Sequence, residues 1–268
     1  MSDQEFRIRE LDLDKPNSAR VYDFLIGGTL NYAMDREFAE KVIAELPRVA
    51  RICQLNRLWL QRVVRFGIDQ GIRQFLDIGS GMPTVGHVHE IAQAAHPDAR
   101  VVYVDNEPVA IAHSDIVLEG NEYAAMAAAD GERPDEVLQH PATGRLLDFS
   151  QPVMVILAAF VHFIPPERDP AGLIARYRSA LASGSYLALS SDTGEEQDEE
   201  MFRAVEMYKD TTNPLYLRGR DELRALMAGF DIVDPGVVFT PQWRPDDPDD
   251  VGDHPEQAGI LAVVGRVP

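Results

Sequence analysis

Gln74-Phe75-Leu76-Asp77-Ile78-Gly79-Ser80-Gly81-Met82-Pro83 is the stretch whose reading decides the fold of this chain. An apolar run stops on Asp-x-Gly-x-Gly, and a second run, Val101-Val102-Tyr103-Val104, stops on Asp105. A buried strand ending on a glycine turn, followed by a strand ending on a carboxylate, is half of a nucleotide-type cofactor site. Glycine lets the backbone come close to a ligand at such a turn. A lone Gly-x-Gly is a weak signal, because many strand-to-helix turns need glycine. Here the turn follows the first strand, carries Asp77 two residues before Gly79, and has Thr84 where a dinucleotide fingerprint wants Gly or Ala.

Downstream, the pattern alternates strand, turn and helix. Apolar runs at 73–78, 100–105, 123–129, 152–159 and 185–191 predict strands, with helices at about 85–95, 109–118, 134–139 and 168–182 between them. That rhythm belongs to βαβ units and a parallel sheet with helices on both faces. The tail departs from it. Helices at 195–200 onward and 220–227 precede strands at 230–233 and 260–265, which are joined by a long acidic loop without a helix. Two such strands should pair antiparallel at the sheet edge.

Upstream, residues 1–70 read as helices only. A polar arm covers 1–17, and a short apolar helix from Ser18 is closed by Gly27-Gly28. Asp35 can cap a second helix with Phe38, Val42 and Leu46 as its stripe. A third helix, at about 51–66, would turn Leu55, Leu58, Val63 and Phe66 inward and Arg57, Arg62 and Arg65 outward. The division expected is a helical extension or lid at 1–70 and a cofactor domain at 71–268, one structural unit overall.

Composition bounds the partners. The 268 residues carry a formal net charge of -19 with 45% hydrophobic and 26% charged residues. Such a charge disfavours nucleic acid, which is bound largely by Lys and Arg on phosphates. Cys53 is the only cysteine, so no internal disulfide is available. No apolar run approaches the ~20 residues of a bilayer span, and the charged N-terminus has no signal-peptide core. The expectation is a cytoplasmic protein without membrane contact, acting on a small molecule.

Three acids sharpen the cofactor. Asp77 sits at the turn, Asp105 ends the second run where a carboxylate accepts both ribose hydroxyls, and Asp130 follows the third, where an adenine amino group would lie. Each alone is more often a loop cap. Three in succession at carboxyl ends suit adenosine without a pyrophosphate, and S-adenosylmethionine fits that better than NAD.

Asp77-Ile-Gly79-Ser-Gly81 followed by Asp105 resembles the first two motifs of class I S-adenosylmethionine-dependent methyltransferases. Ser18-Ala-Arg20-Val-Tyr22-Asp23 with Gly27-Gly28, then Asn56-Arg57, Phe75 to Pro83 and Tyr103-Val-Asp105-Asn106, are similar to a bacterial family of S-adenosyl methyltransferases of undefined substrate. His87 stands where that family has asparagine. The resemblance implies a Rossmann-like α/β three-layer sandwich, with a seven-stranded, mostly parallel sheet, an antiparallel last strand and a helical lid. It also implies that the backbone at Gly79, Ser80 and Gly81 holds the methionine part, with Asp77 supporting the turn. Asp105 would hold the ribose, Asn106 would lie on the adenine, and Asp130-Gly131 would bind the adenine edge. Leu157 and Ala158 would line the sulfonium, and S-adenosylhomocysteine would be the product.

For the acceptor, Leu157-Ala-Ala-Phe160-Val-His162-Phe163 follows the fourth strand, where this fold places substrate. His162 can serve as a general base, its ordinary pKa being near neutrality; the alternative is a histidine that fixes the loop by hydrogen bonding. A lid would bring Arg20, Tyr22, Asp23, Asn31 and Tyr32 to the site, with Arg20 or Arg57 on the methionine carboxylate. Asn213-Pro214-Leu215-Tyr216 follows the fifth strand instead of the fourth and is set aside. His87 and His89, two apart on a helix, should face different ways, and no metal site is expected. The reading is a methyltransferase. Its alternatives are a regulatory S-adenosylmethionine- or S-adenosylhomocysteine-binding protein and, disfavoured by Thr84 and the last strand, an NAD-dependent oxidoreductase. The pattern names neither the acceptor atom nor an oligomeric state.

Overall fold

The computed structural model describes residues 15–84 and 86–268. Most of the expected polar arm and Val85, the first residue of the helix expected after the glycine turn, lie outside the described residues. Three helices come first: α1 (Ser18–Leu25), α2 (Ala33–Glu45) and α3 (Val49–Asp69). The alternating section follows as β1 (Gln74–Ile78), α4 (Val88–Ala95), β2 (Arg100–Asp105), α5 (Pro108–Val117), β3 (Ala124–Ala128), α6 (Pro134–Gln139), α7 (Pro141–Leu146), β4 (Met154–Leu157), α8 (Pro170–Ser179) and β5 (Tyr186–Asp192). The tail holds α9 (Glu199–Met207), α10 (Arg220–Leu226), β6 (Asp231–Ile232), β7 (Val238–Phe239) and β8 (Ile260–Arg266).

The strand order is β3-β2-β1-β4-β5-β8-β6, with β7 also paired to β8. β1 to β5 pair parallel, and β8 runs antiparallel to β5, β6 and β7. The sheet has eight strands where seven were expected, and the extra one is a split edge. Between Ile232, opposite Gly265, and Val238, opposite Ala262, the edge advances six residues for three on β8. The surplus loops out around Pro235, which has no N–H to give the ladder.

The near-continuous apolar runs reflect burial on both faces. Leu76, Ile78, Val155 and Leu157 join one core with Tyr177 of α8 and Leu223 of α10. Phe75, Met154 and Ile156 join the other with Trp59 and Val63 of α3, Val88 of α4 and Trp243. Each such side chain contributes ~1.5–3 kcal/mol on burial. The face of α3 differs from the expected one. Ile52, Cys53, Asn56, Trp59, Leu60 and Val63 are buried, whereas Leu58 is 42% exposed and Arg57 turns toward the interior cavity. Val63 and Phe66 are buried as expected; the buried polar Asn56, which an apolar stripe leaves out, shifts only the face around Arg57 and Leu58.

A third cluster unites the N-terminal helices with the tail. Val21 and Leu25 of α1, Val42 of α2, Ile52 of α3, Met201 and Ala204 of α9 and Ile260 of β8 pack together. Because β8 is antiparallel, its first residue lies opposite Asp192, at the carboxyl end of β5. The helices thus cover the carboxyl ends of the central strands.

Candidate functional site

Parallel pairing sends the ends of β1, β2, β3, β4 and β5 to one edge, and there they meet a single cavity of about 210 Å³ beneath α1, α2, α3 and α9. Gly79 and Gly81 hold the turn after β1 at φ of +68° and +67°, a region other residues enter at a cost. The turn's amides are donated to β2. Gly79 and Ser80 give their N–H groups to the Val104 carbonyl at 2.8 and 3.1 Å, and Gly81 gives its own to Asp105 Oδ2 at 2.8 Å. A Cβ on Gly79 would overlap the Phe160 ring, and one on Gly131 would lie 2.8 Å from it. Phe160, expected at the substrate, therefore fills a notch between the two glycines while still facing the cavity.

The three acids all line this cavity. Burial pushes the Asp77 carboxyl up to about 7, against the pull of the Arg57 guanidinium, and Asp105 adds to the rise. Asp105 is also raised by burial, offset by the N–H groups it accepts, among them Glu107 N–H at 2.9 Å. Asp130 accepts Glu132 N–H at 3.0 Å. Asn106, Gly131 and Ala158 line the cavity, but Leu157 does not. Strand parity turns Leu157 into the core beneath α8, on the opposite face of the sheet.

The helical cover divides its residues between cavity and support. Tyr22, Asp23 and Arg57 line the cavity. Arg20 does not: it is buried in an ion cluster, with Nε 2.7 Å from Asp35 Oδ2 and Nη1 2.5 Å from Glu107 Oε1. This ties α1 and α2 to the loop after β2. Tyr32 lies beneath the Arg20 guanidinium at 5.2 Å. Asn31 donates to Asp23 Oδ2 at 2.7 Å, as does Leu30 N–H at 2.8 Å. Asp23 Oδ1 and Ser80 Oγ are buried without a partner. Gly28 has no room for a Cβ, which would overlap the Asp23 carboxylate.

A buried relay fastens the cover to the sheet. Ala159 N–H donates to Ser190 Oγ at 2.9 Å, which donates to Asn56 Oδ1 at 2.8 Å. Asn56 in turn donates to the Tyr22 hydroxyl at 3.3 Å, and Tyr22 to the Cys53 carbonyl at 2.8 Å. Ala159 is held at a φ of +52°, a strained value for alanine at the end of β4.

His162 is buried at the cavity wall, in a 3-10 turn at Val161–Phe163. Its Nδ1 accepts the Asp192 N–H at 3.1 Å, so the ring proton sits on Nε2. Burial lowers its pKa, as does Arg218, while Asp192 opposes them. Asp192, absent from the expected set, lines the same cavity, and its carboxyl is raised by burial. The strand-end carboxylate rule that found Asp105 would have found it had the rule been carried on to β5. Glu107, Asn56 and Ser190 had no such local signal.

The set-aside features fall as follows. Asn213 and Leu215 reach the cavity, and Tyr216 N–H donates to the His162 carbonyl at 2.8 Å. His87 is the N-cap of α4 and not a helical residue, so its ring stacks on His89 at 5.3 Å instead of facing away. Among the described residues no group of three or more His, Cys, Asp or Glu is placed to hold a metal ion. In 195–200, Asp198 caps α9, and Glu195 pairs with Arg220 at 2.5 Å.

Solved structures share this architecture. A candidate methyltransferase from Thermobifida fusca YX is 37% identical, with a TM-score of 0.91 over 96% of this chain and 97% of that one. A DUF574 family protein from Streptomyces avermitilis MA-4680 is 36% identical, with a TM-score of 0.92 over 97% and 100%. The apo S-adenosylmethionine-dependent methyltransferase SibL, 18% identical, shares the fold alone, with a TM-score of 0.54 over 97% of this chain and 65% of that one. No curated protein matches the chain. The family model for S-adenosyl methyltransferases matches residues 4–268. With these acids at the strand ends and this match along almost its whole length, the chain belongs to the S-adenosyl methyltransferase family and is an S-adenosylmethionine-dependent methyltransferase.

Proposed function

We propose that this methyltransferase acts on a small molecule held inside the cavity, with the cofactor lying along the ends of β1, β2 and β3. The observation that carries the reading is the enclosure of one cavity by strand ends on one side and α1, α2 and α9 on the other. A nucleic-acid strand needs an open basic surface, whereas this chain has a net charge of -19. No described helix is long and apolar enough to cross a membrane, and the one cysteine, Cys53, is a buried free thiol. The thiol suits a reducing cytoplasm.

The residues present suit the cofactor. Ser80 Oγ and Asp23 Oδ1 are buried without partners, a costly state that a ligand with hydrogen-bonding groups relieves. Asp105 would accept the ribose hydroxyls, Asn106 would lie on the adenine, and Asp130 with Gly131 would meet its edge. Asp77, Gly79, Ser80 and Gly81 would surround the methionine part, with Arg57 on its carboxylate and Ala158 near the sulfonium. Arg20 and Leu157 are left out, since both are committed elsewhere. Tyr22 and Phe160 would face the acceptor; Asn31 and Tyr32 would act through Asp23 and Arg20. Once bound, the cofactor supplies an activated methyl group, so the protein's task is chiefly alignment.

His162 is assigned a positioning role. A neutral ring whose Nδ1 is occupied by the Asp192 N–H has no lone pair left to take a proton. In the proposed division, 1–70 is the cover and 71–268 the cofactor domain, as one unit. The burial of Trp59 and Val63 of α3 in the sheet's core supports that unity.

Titration calorimetry with S-adenosylmethionine, S-adenosylhomocysteine and NAD tests the cofactor placement; micromolar binding of the first two and none of NAD is expected. Incubation of the protein with metabolite extracts and a labelled methyl donor tests the acceptor class. Label found only in nucleic acid or protein would overturn the small-molecule reading, and no transfer beside tight binding would favour a regulatory binding protein.

A further inference from the structure

We propose that the acceptor is a largely apolar molecule carrying one O–H or N–H group, seated beneath α2 and α9, with Asp192 as the base that takes its proton. The inference rests on the small-molecule reading of this cavity and names the acceptor's chemistry. Away from the acids of β1, β2 and β3 the wall changes character. It becomes Val42, Leu46, Ile52, Met201, Ala204 and Ile260, contributed by four helical or strand segments that meet only in the fold. An acceptor filling this part must be apolar over most of its surface.

One carboxylate interrupts that wall. Alternation along β5 puts Ala188, Ser190 and Asp192 on one face of the sheet. Ala188 packs in the core beneath α3, and Ser190 bonds Asn56 of α3, so Asp192 emerges next, under the cover. The groups that face it are His162 at 3.5 Å, whose protonation it favours, and Tyr22 of α1, Cys53 of α3 and Tyr208 beyond α9, whose ionisation it opposes. Arg57 of α3 is the cation on the cavity wall. Among the described residues no Lys or Arg forms an ion pair with Asp192. A desolvated carboxylate facing an apolar chamber welcomes a hydroxyl or an amine and repels an anion, which would meet like charge at low dielectric. Burial raises its affinity for a proton, which suits a base working near neutral pH.

The reaction balances without another reactant. The acceptor's O–H or N–H proton passes to Asp192, and the lone pair of that O or N forms the new bond to the methyl carbon. The carbon–sulfur bond breaks with its electron pair retained on sulfur. The products are the methylated acceptor, a neutral thioether and a protonated Asp192, which returns its proton to water.

The test is titration calorimetry at pH 8 on full-length protein saturated with S-adenosylhomocysteine, using hexylamine, 4-butylphenol and hexanoate as probes. The amine and the phenol should bind at least tenfold more tightly than hexanoate. Asp192→Asn should bring hexanoate within threefold of hexylamine while shifting the S-adenosylhomocysteine Kd less than threefold. Val205→Phe, which narrows the chamber from α9, should weaken the amine and the phenol tenfold and spare the thioether; it decides the matter if Asp192→Asn does not fold. With an acceptor found by label transfer, Asp192→Asn should lower kcat at least 100-fold. Equal binding of hexanoate and hexylamine by the unaltered protein overturns the proposal, as does binding indifferent to Val205→Phe. Failure of the unaltered protein to bind S-adenosylhomocysteine sinks instead the cofactor placement beneath it.

Discussion

The two ends of the cavity are built by different rules. At the β1–β3 end, each acid stands on the last residues of its own strand or just beyond, and two are held by neighbouring backbone: Asp105 by the Gly81 and Glu107 N–H groups, Asp130 by that of Glu132. At the end under the helices, the wall is assembled from elements far apart in sequence. Asp192 and Ile260 meet across the pairing of β5 with β8, and Cys53 joins them from α3 by packing. The first end depends on parallel-strand topology, which any chain with this fold shares. The second depends on how a particular cover sits, so in the proposed reading it is the place where acceptor choice can vary while the donor stays the same.

The largest effect should come from the link between the two ends. Arg20→Ala leaves Asp35 and Glu107 buried without their cation, and a loss of ~3–5 kcal/mol of stability is expected in urea unfolding. If S-adenosylhomocysteine affinity also falls, the cover and the loop after β2 act as one unit; an unchanged affinity would separate them. Next, Asp105→Ala removes the acceptor of two backbone N–H groups as well as the proposed ribose ligand. Calorimetry should show roughly a 100-fold weaker Kd for S-adenosylhomocysteine, about 2.7 kcal/mol. A change below threefold would break the assignment of this end to the donor.

Asp77 offers a test by pH. Its folded-state value of about 7 lies above its ordinary 3.8, so between these values the folded state holds a proton that the unfolded state has released. Stability therefore falls as pH rises from about 4 to about 7 on its account and is flat beyond. Asp77→Asn should abolish that slope and raise stability at pH 8 by no more than ~4 kcal/mol, because the value of about 7 already includes the attraction of Arg57. Thermal unfolding at pH 5 and pH 8 measures it; a destabilised variant at pH 8 would mean that the charge is held by more than Arg57. The smallest effect concerns His162. Its Asn variant keeps an acceptor for the Asp192 N–H, so turnover should stay within about tenfold, whereas Ala orphans that buried donor at ~1–3 kcal/mol. Asn and Ala failing equally would make the ring a base after all.

Much of this molecule was legible before its fold was known. The strands, the helices between them and the acids at 77, 105 and 130 follow from local periodicity and from glycine and aspartate at strand ends. The misreadings have separate causes. Leu58 and Arg57 exchanged places because a buried Asn56 hid the true face of α3. Leu157 turned away because a strand fully buried on both faces shows no alternation from which to tell its sides. Arg20 pairs with Glu107, 87 residues on, and does not line the cavity. His87 joined His89 because it caps α4 instead of belonging to it.

The sequence by itself determined the sheet, its direction of travel, the glycine turn and the row of acids at the strand ends. All of these are set by neighbours within a few residues and by the rule that parallel strands end on one edge. Only the tertiary structure decided which cover residues reach the cavity, that Asp192 stands beside its apolar part, and that Arg20 pairs with Asp35 and Glu107. Those outcomes depend on contacts between distant segments, where burial and charge pairing choose among partners that no local pattern distinguishes.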